Sequence, residues 1–287
     1  MKMQISKGLK FSLAVAFFWA LSIVTSRFLL KSGEDPLNLT LWINLFTVPF
    51  WITLLPKYTK ELVELPWLYK GLLLLIGIAG SIGINYLQSL ALKSTTAANL
   101  AFLYRTIVVF TIVFAYIFFK EKITIKKIII VSMILTGSYL LTTNGQTLIL
   151  TKGDIYTLFT AASAAFVANI LVKHTISKMH PDASGIATVT VGTISLLVMT
   201  LMAGSFKVPQ GLLLIALTGL FSFLTVRFRN FAYKHATASF VTMIVSFTPV
   251  FVSLLSFPLL GEKLSLLQLG GGMLIVSSGI LAEYLKI

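Results

Sequence analysis

The chain has 287 residues, of which 57% are hydrophobic and only 11% charged. Soluble domains run at about 25% charged residues, so the composition excludes a soluble fold and makes lipid the solvent. The absence of cysteine excludes disulfides and thiolate metal sites. The net charge of +14 is dispersed in short clusters between apolar runs, which excludes the basic face of a nucleic-acid-binding domain.

Residues 1–23 begin basic and become apolar without a small-residue cleavage site, and read as a retained first helix. Crossing about 30 Å of hydrocarbon takes roughly 20 apolar residues in a helix. Windows that qualify run, in chain order, over 10–30, 37–55, 70–92, 96–119 and 124–143, then 153–172, 183–203, 209–232, 236–259 and 264–285. Breaker signals separate them at 31–36, 56–66, 144–145, 180–181 and 204–209. No interval is long enough for a soluble domain. The expected fold is an all-α integral membrane protein of ten transmembrane helices.

Basic residues flanking the spans set the orientation. With the N-terminus in the cytoplasm, fourteen lysines fall on cytoplasmic segments and five on outside ones, and the four arginines all lie inside expected spans. The sequence also repeats. Ala91-Leu-Lys-Ser-Thr-Thr-Ala-Ala, running on to Lys120-Glu121-Lys122-Ile-Thr, matches Ala232-Tyr-Lys-His-Ala-Thr-Ala-Ser, running on to Gly261-Glu262-Lys263-Leu-Ser, at an offset of 141 residues. Lys93 thus pairs with Lys234, Thr96 with Thr237 and Glu121 with Glu262. Five spans lie between equivalent positions, and an odd number inverts the second copy in the membrane. Two inverted five-helix repeats are expected, over 1–147 and 148–287, an arrangement typical of secondary transporters with a central site.

These residues resemble the EamA family of the drug/metabolite transporter superfamily. The likeness lies in Phe18-Trp19-Ala20 of the first span and in the paired segments, and is strongest from Ala236 through Thr248-Pro249-Val250-Phe251 to Gly261-Glu262-Lys263. It covers nearly the whole chain. The first copy departs at three places, with Arg105, Val108 and Lys120 standing where Ser246, Pro249 and Gly261 stand in the second. The resemblance implies ten helices with both termini cytoplasmic, in the inner (plasma) membrane of a prokaryotic cell. It also implies a pathway lined by helices 1, 3, 4, 6, 8 and 9, and cargoes such as amino acids, other metabolites, drugs or sugar-linked compounds.

Helix 3 carries a polar face of Ser81, Asn85, Gln88 and Ser89, and the offset places Ser222, Val226, Arg229 and Asn230 on the matching face of helix 8. Such faces line an aqueous pathway or supply interhelical hydrogen bonds. Arg105 lies nine residues into helix 4, about 13 Å along its axis, where facing lipid costs at least ~2.5 kcal/mol. It is either a fixed charge for an anionic group or a donor to helix-end carbonyls. Arg229 shares the polar face, whereas Arg227, about 200° away around the helix, and Arg27 near the outer end of helix 1 are expected to snorkel. All nine acidic residues fall in loops or at span ends, as do His174, His180 and His235, which are expected to be solvated. That leaves no mid-membrane acid for proton or sodium coupling. Gly270, Gly271, Gly272 and Gly279 of helix 10 fit close packing within the bundle or across a homodimer contact.

The function these features suggest is a secondary transporter of a small organic metabolite, anionic or zwitterionic, working by alternating access. The expected substrate-binding residues are Ser81, Asn85, Gln88, Arg105, Arg229, Asn230, Thr242 and Ser246. No catalytic residue, metal site or cofactor is expected, and the partners are the lipid bilayer and a small-molecule substrate. The alternative is an integral-membrane enzyme or a non-transporting assembly factor, and an enzyme needs clustered His, Asp or Glu at one membrane face.

Overall fold

The computed structural model describes residues 6–88, 91, 102–147, 151–260 and 265–285. Ser89, Lys93, Thr96, Gly261, Glu262 and Lys263 lie outside the described residues. Ten helices among the described residues are long and apolar enough to cross a membrane. They are α1 (Lys7–Leu30), α2 (Pro36–Glu64), α3 (Trp67–Tyr86), α4 (Phe102–Phe119), α5 (Ile125–Thr143), α6 (Lys152–Ile176), α7 (Pro181–Met202), α8 (Leu212–His235), α9 (Ala238–Leu255) and α10 (Leu266–Tyr284). Each apolar window of the sequence overlaps one of these helices, and α2 continues through Pro56 to Glu64, where a break was expected between 56 and 66.

The helix ends follow local chemistry. Asp35 accepts from the backbone N–H groups of Leu37 and Asn38 and so caps α2, with Pro36 at the first helical position. Thr124 accepts from Lys127 N–H at the start of α5, and Ser265 from Gln268 N–H at the start of α10. These two caps stand 141 residues apart, so the repeat in the sequence is also a repeat in helix termini. Lys120, which ends α4, adopts a left-handed φ of 55°. That conformation favours glycine, and glycine is what the second copy has at 261.

The two copies interlock. α2 packs on α7, α4 on α9 and α5 on α10, each on its own counterpart. In addition α1 crosses to α9, as α6 crosses to α4. α5 and α10 approach until a Cβ at Gly271 would lie 2.6 Å from the Gly137 carbonyl oxygen, so only glycine fits there. Gly279 is likewise pressed against the Phe247 ring, and these two glycines of α10 serve packing within the bundle. One pairing is unequal. α1 lies along α8 over most of its length, joined by Ser22–Ser222 (3.0 Å) and Thr218–Thr25 (2.9 Å) hydrogen bonds, whereas its counterpart pair, α6 and α3, meets over a shorter stretch.

Five spans separate equivalent positions, so Lys126 and Leu267, both exposed and 141 residues apart, start helices that run in opposite directions across the bilayer. Because the native chain has no cysteine, Lys126→Cys and Leu267→Cys can each be probed with a membrane-impermeant thiol reagent. One is expected to label in intact cells and the other only after lysis; labelling of both from one side contradicts the inverted arrangement.

Candidate functional site

A cavity of about 840 Å³ lies between the two halves. It extends from Leu30, Pro36 and Gln268, at the end holding the α1–α2 turn, down to Tyr233 and Thr242 near the opposite end. Most of the wall comes from α1, α3, α4, α6, α8 and α9, with edges from the other four helices.

Helix geometry is irregular where it meets the cavity. In α3, residues Ala79–Tyr86 wind as a π-helix, and so do Ala165–Leu171 in α6. These wider turns, common at functional sites, bring Ser81 and Asn85 to the wall of α3 and Asn169 to that of α6. Ser81 is held in place by its contact with Gly192 of α7, where any side chain would collide with its hydroxyl. α4 and α9 instead tighten. Arg105 N–H donates to Phe102 O (2.9 Å) and Thr106 N–H to Leu103 O (3.1 Å), while Ser246 N–H donates to Met243 O (3.2 Å) and Phe247 N–H to Ile244 O (3.0 Å). Arg105 and Ser246 are equivalent positions, and both breaks face the cavity. Pro249 cannot donate to Val245 O, and the Thr248 hydroxyl takes that carbonyl instead at 2.7 Å. In α4, where Val108 replaces the proline, the Thr106 hydroxyl donates to Leu103 O at 2.6 Å.

Seven of the eight residues singled out from the sequence, Ser81, Asn85, Gln88, Arg105, Arg229, Thr242 and Ser246, line this one cavity. Asn230 does not. It is buried and donates to Pro181 O at 3.0 Å, tying α8 to the start of α7. Arg105 is 6% exposed, with its guanidinium 5.7 Å from the Trp19 ring centroid. The Nε of Arg105 and that of Arg229 are both sealed from solvent and without a hydrogen-bond partner. Among the described residues, every charged side chain on the wall is an arginine: Arg27, Arg105 and Arg229. Arg27 therefore faces the cavity rather than snorkelling. Arg227 does not snorkel either: Nε and Nη2 donate to the Asp182 carboxylate at 3.0 and 3.3 Å, and Asp182 is 2% exposed. A fixed acid at the start of α7 thus neutralises Arg227 and not Arg229.

Sequence reasoning missed Asn169. Its amide donates to Thr111 (2.7 Å) and Thr242 (3.3 Å), and its oxygen accepts from the Tyr233 hydroxyl (2.7 Å), joining α4, α6, α8 and α9 at the cavity floor. A lone Asn in an apolar window was the only signal. Below this floor the bundle is closed. Glu121 accepts from Ala238 N–H (3.0 Å) and from the Ser239 hydroxyl at the start of α9, and pairs with Lys127 at 3.4 Å. Lys173 donates to Ala236 O, and Phe11 packs on Phe228, Phe231 and His235. His180 completes the closure and is half-buried, unlike the exposed His174 and His235. It stacks on Tyr58 at 4.5 Å, and its Nδ1 accepts from Asp182 N–H at 3.2 Å.

Comparison with known proteins gives a family and a fold. A family model described as the EamA-like transporter family matches residues 6–143 and again 151–283. An uncharacterized transporter of Clostridium kluyveri is 37% identical over 136 residues, covering 45% of this chain; the chain spans 42% of that relative's length. The uncharacterized transporter YyaM of Bacillus subtilis is 25% identical over 214 residues, 71% of this chain and 70% of that one. A protein of known crystal structure superposes with a TM-score of 0.79 at 14% identity, covering 97% of this chain and 96% of that chain. That likeness shows a shared fold.

The His180 geometry gives the closed end a pH dependence. Only a neutral imidazole accepts at Nδ1, and burial pushes His180 below its ordinary value of 6.5, with the Asp182 carboxylate opposing. A lowered pKa stabilises the fold fully above pH 6.5, and that contribution is lost as the pH falls below it. The purified protein is expected to melt lower at pH about 5 than at about 7.5, and His180→Asn, which keeps a capping acceptor, is expected to flatten the difference. Identical pH profiles for the two proteins contradict this role.

Proposed function

This chain belongs to the EamA-like transporter family, and from that premise we propose a secondary transporter that works by alternating access. Its cargo is a small organic solute bearing a carboxylate or phosphate, an amino acid or related compound included. The observation that carries this reading is the pair Arg105 and Arg229, which face one cavity whose described wall has no acidic residue to neutralise them. An unpaired charge away from water is costly, and an anionic group of the cargo supplies the partner. Ser81, Asn85, Gln88, Thr242 and Ser246 stand on the same wall as hydrogen-bonding groups for the rest of the solute.

The fourteen-to-five lysine split supports both termini on the cytoplasmic side, and the bacterial relatives support a prokaryotic plasma membrane. In that orientation the end of the cavity that holds Leu30 and Pro36 lies toward the outside, and the end closed by the described residues faces the cytoplasm. The two halves, divided near residues 147 and 148, rock about the central site to expose it to the two sides in turn. Transport rather than catalysis is the activity that a cavity with arginines and hydrogen-bonding groups serves.

Arg105→Gln keeps hydrogen-bonding capacity and removes the charge. In purified protein it is expected to weaken binding of carboxylate solutes by about 1.5–3 kcal/mol, the usual worth of a hydrogen bond to a charged group, with melting behaviour in the absence of solute unchanged. A variant that binds anions as the unaltered chain does, or one that no longer folds, makes Arg105 a structural residue.

A further inference from the structure

Building on the reading that Arg105 meets an anionic group, we propose that the cargo is a dianion, with two acidic groups or one doubly charged phosphate, shared between Arg105 of the first half and Arg229 of the second. The argument starts from where the fold supplies counter-charge. Arg227 and Arg229 are two residues apart on α8; the first receives the Asp182 carboxylate in two hydrogen bonds, and the second receives no acid among the described residues. Arg229 and Arg105 each keep a sealed Nε without a partner. Tyr104, next to Arg105 in the chain, and Trp19, whose ring centroid lies 5.7 Å from the Arg105 guanidinium, line the same cavity as Arg229. Arg105 and Arg229, each with a sealed Nε, thus bring two positive charges to one cavity that the described residues leave uncompensated, while Arg27 lies toward the end that holds the α1–α2 turn.

A monoanion neutralises one of the two. A zwitterion contributes no net charge and brings an ammonium group to a wall with no acid to receive it. A dianion balances both, and guanidinium groups match carboxylate and phosphate geometry with paired N–H donors. The placement also has mechanical content. α4 and α8 belong to different halves, so a ligand held at both guanidiniums bridges the parts that must move relative to each other. A ligand held by one arginine leaves the other half unengaged.

The test uses the purified chain in chloride-free buffer at about pH 8, where inorganic phosphate is mostly the dianion, with thermal stabilisation reporting affinity. The probes are succinate, glutarate and inorganic phosphate as dianions, acetate as a monoanion and glycine as a zwitterion. At least one dianion is expected to bind roughly 10-fold or more tightly than acetate or glycine, the factor that about 1.4 kcal/mol gives. Arg229→Gln is expected to reduce dianion affinity at least roughly 10-fold, toward the acetate level, and Arg229→Lys to keep part of the preference. Acetate or glycine binding as tightly as every dianion overturns the dianion assignment and leaves the single-anion reading standing. Failure of all the anions to stabilise the protein removes both. The ranking on the unaltered chain decides the matter even where a variant does not fold.

Discussion

A bilayer interior offers no hydrogen-bond partners, and every polar group this chain carries into it has to be satisfied from within. Ten helices do this for the backbone. Where α4 and α9 break, side-chain hydroxyls take over: Thr106 holds the Leu103 carbonyl and Thr248 the Val245 carbonyl. The same rule governs the charged groups near the closed end, where Asp182 meets Arg227 and Glu121 meets Lys127. Arg105 and Arg229, by contrast, meet no acid among the described residues, and both line one cavity.

The internal duplication explains how such a site arises. Equivalent positions in the two copies line the same cavity, but with different side chains: Arg105 opposite Ser246, Gln88 opposite Arg229 and Asn85 opposite Val226. Duplication supplied two matching polar walls and two matching helix breaks. Divergence then put one guanidinium on α4 of the first half and the other on α8 of the second.

Much of this was legible in the sequence because it rests on local or repeated signals. Long apolar windows gave the spans, the offset of 141 paired the halves, and spacing along α3 and α8 put Ser81, Asn85, Gln88 and Arg229 on common faces. What escaped depends on contacts between distant segments. Asp182 looked like one more span-end acid until α8 brought Arg227 to it. Asn230 shares its helix with Arg229, yet the neighbouring start of α7 draws it away from the cavity. Asn169 gains its importance from three partners on three other helices. The π-helical turns of α3 and α6 also escaped, since spacing and hydropathy do not separate a π-turn from an α-turn.

The closed end also bears on turnover. The bonds of Glu121 to the start of α9 and of Lys173 to Ala236 and the aromatic cluster around Phe11 join separate segments, and the alternating access proposed above requires them to come apart in every cycle. Each additional 1.4 kcal/mol of stability there, if absent from the barrier crossing, slows opening about tenfold. Selection for speed therefore opposes selection for rigidity at this seam. The mixture found there, in which hydrogen bonds, two ion pairs and ring contacts stand among buried apolar side chains, combines contacts that can be broken and remade singly with packing that holds the closed form together.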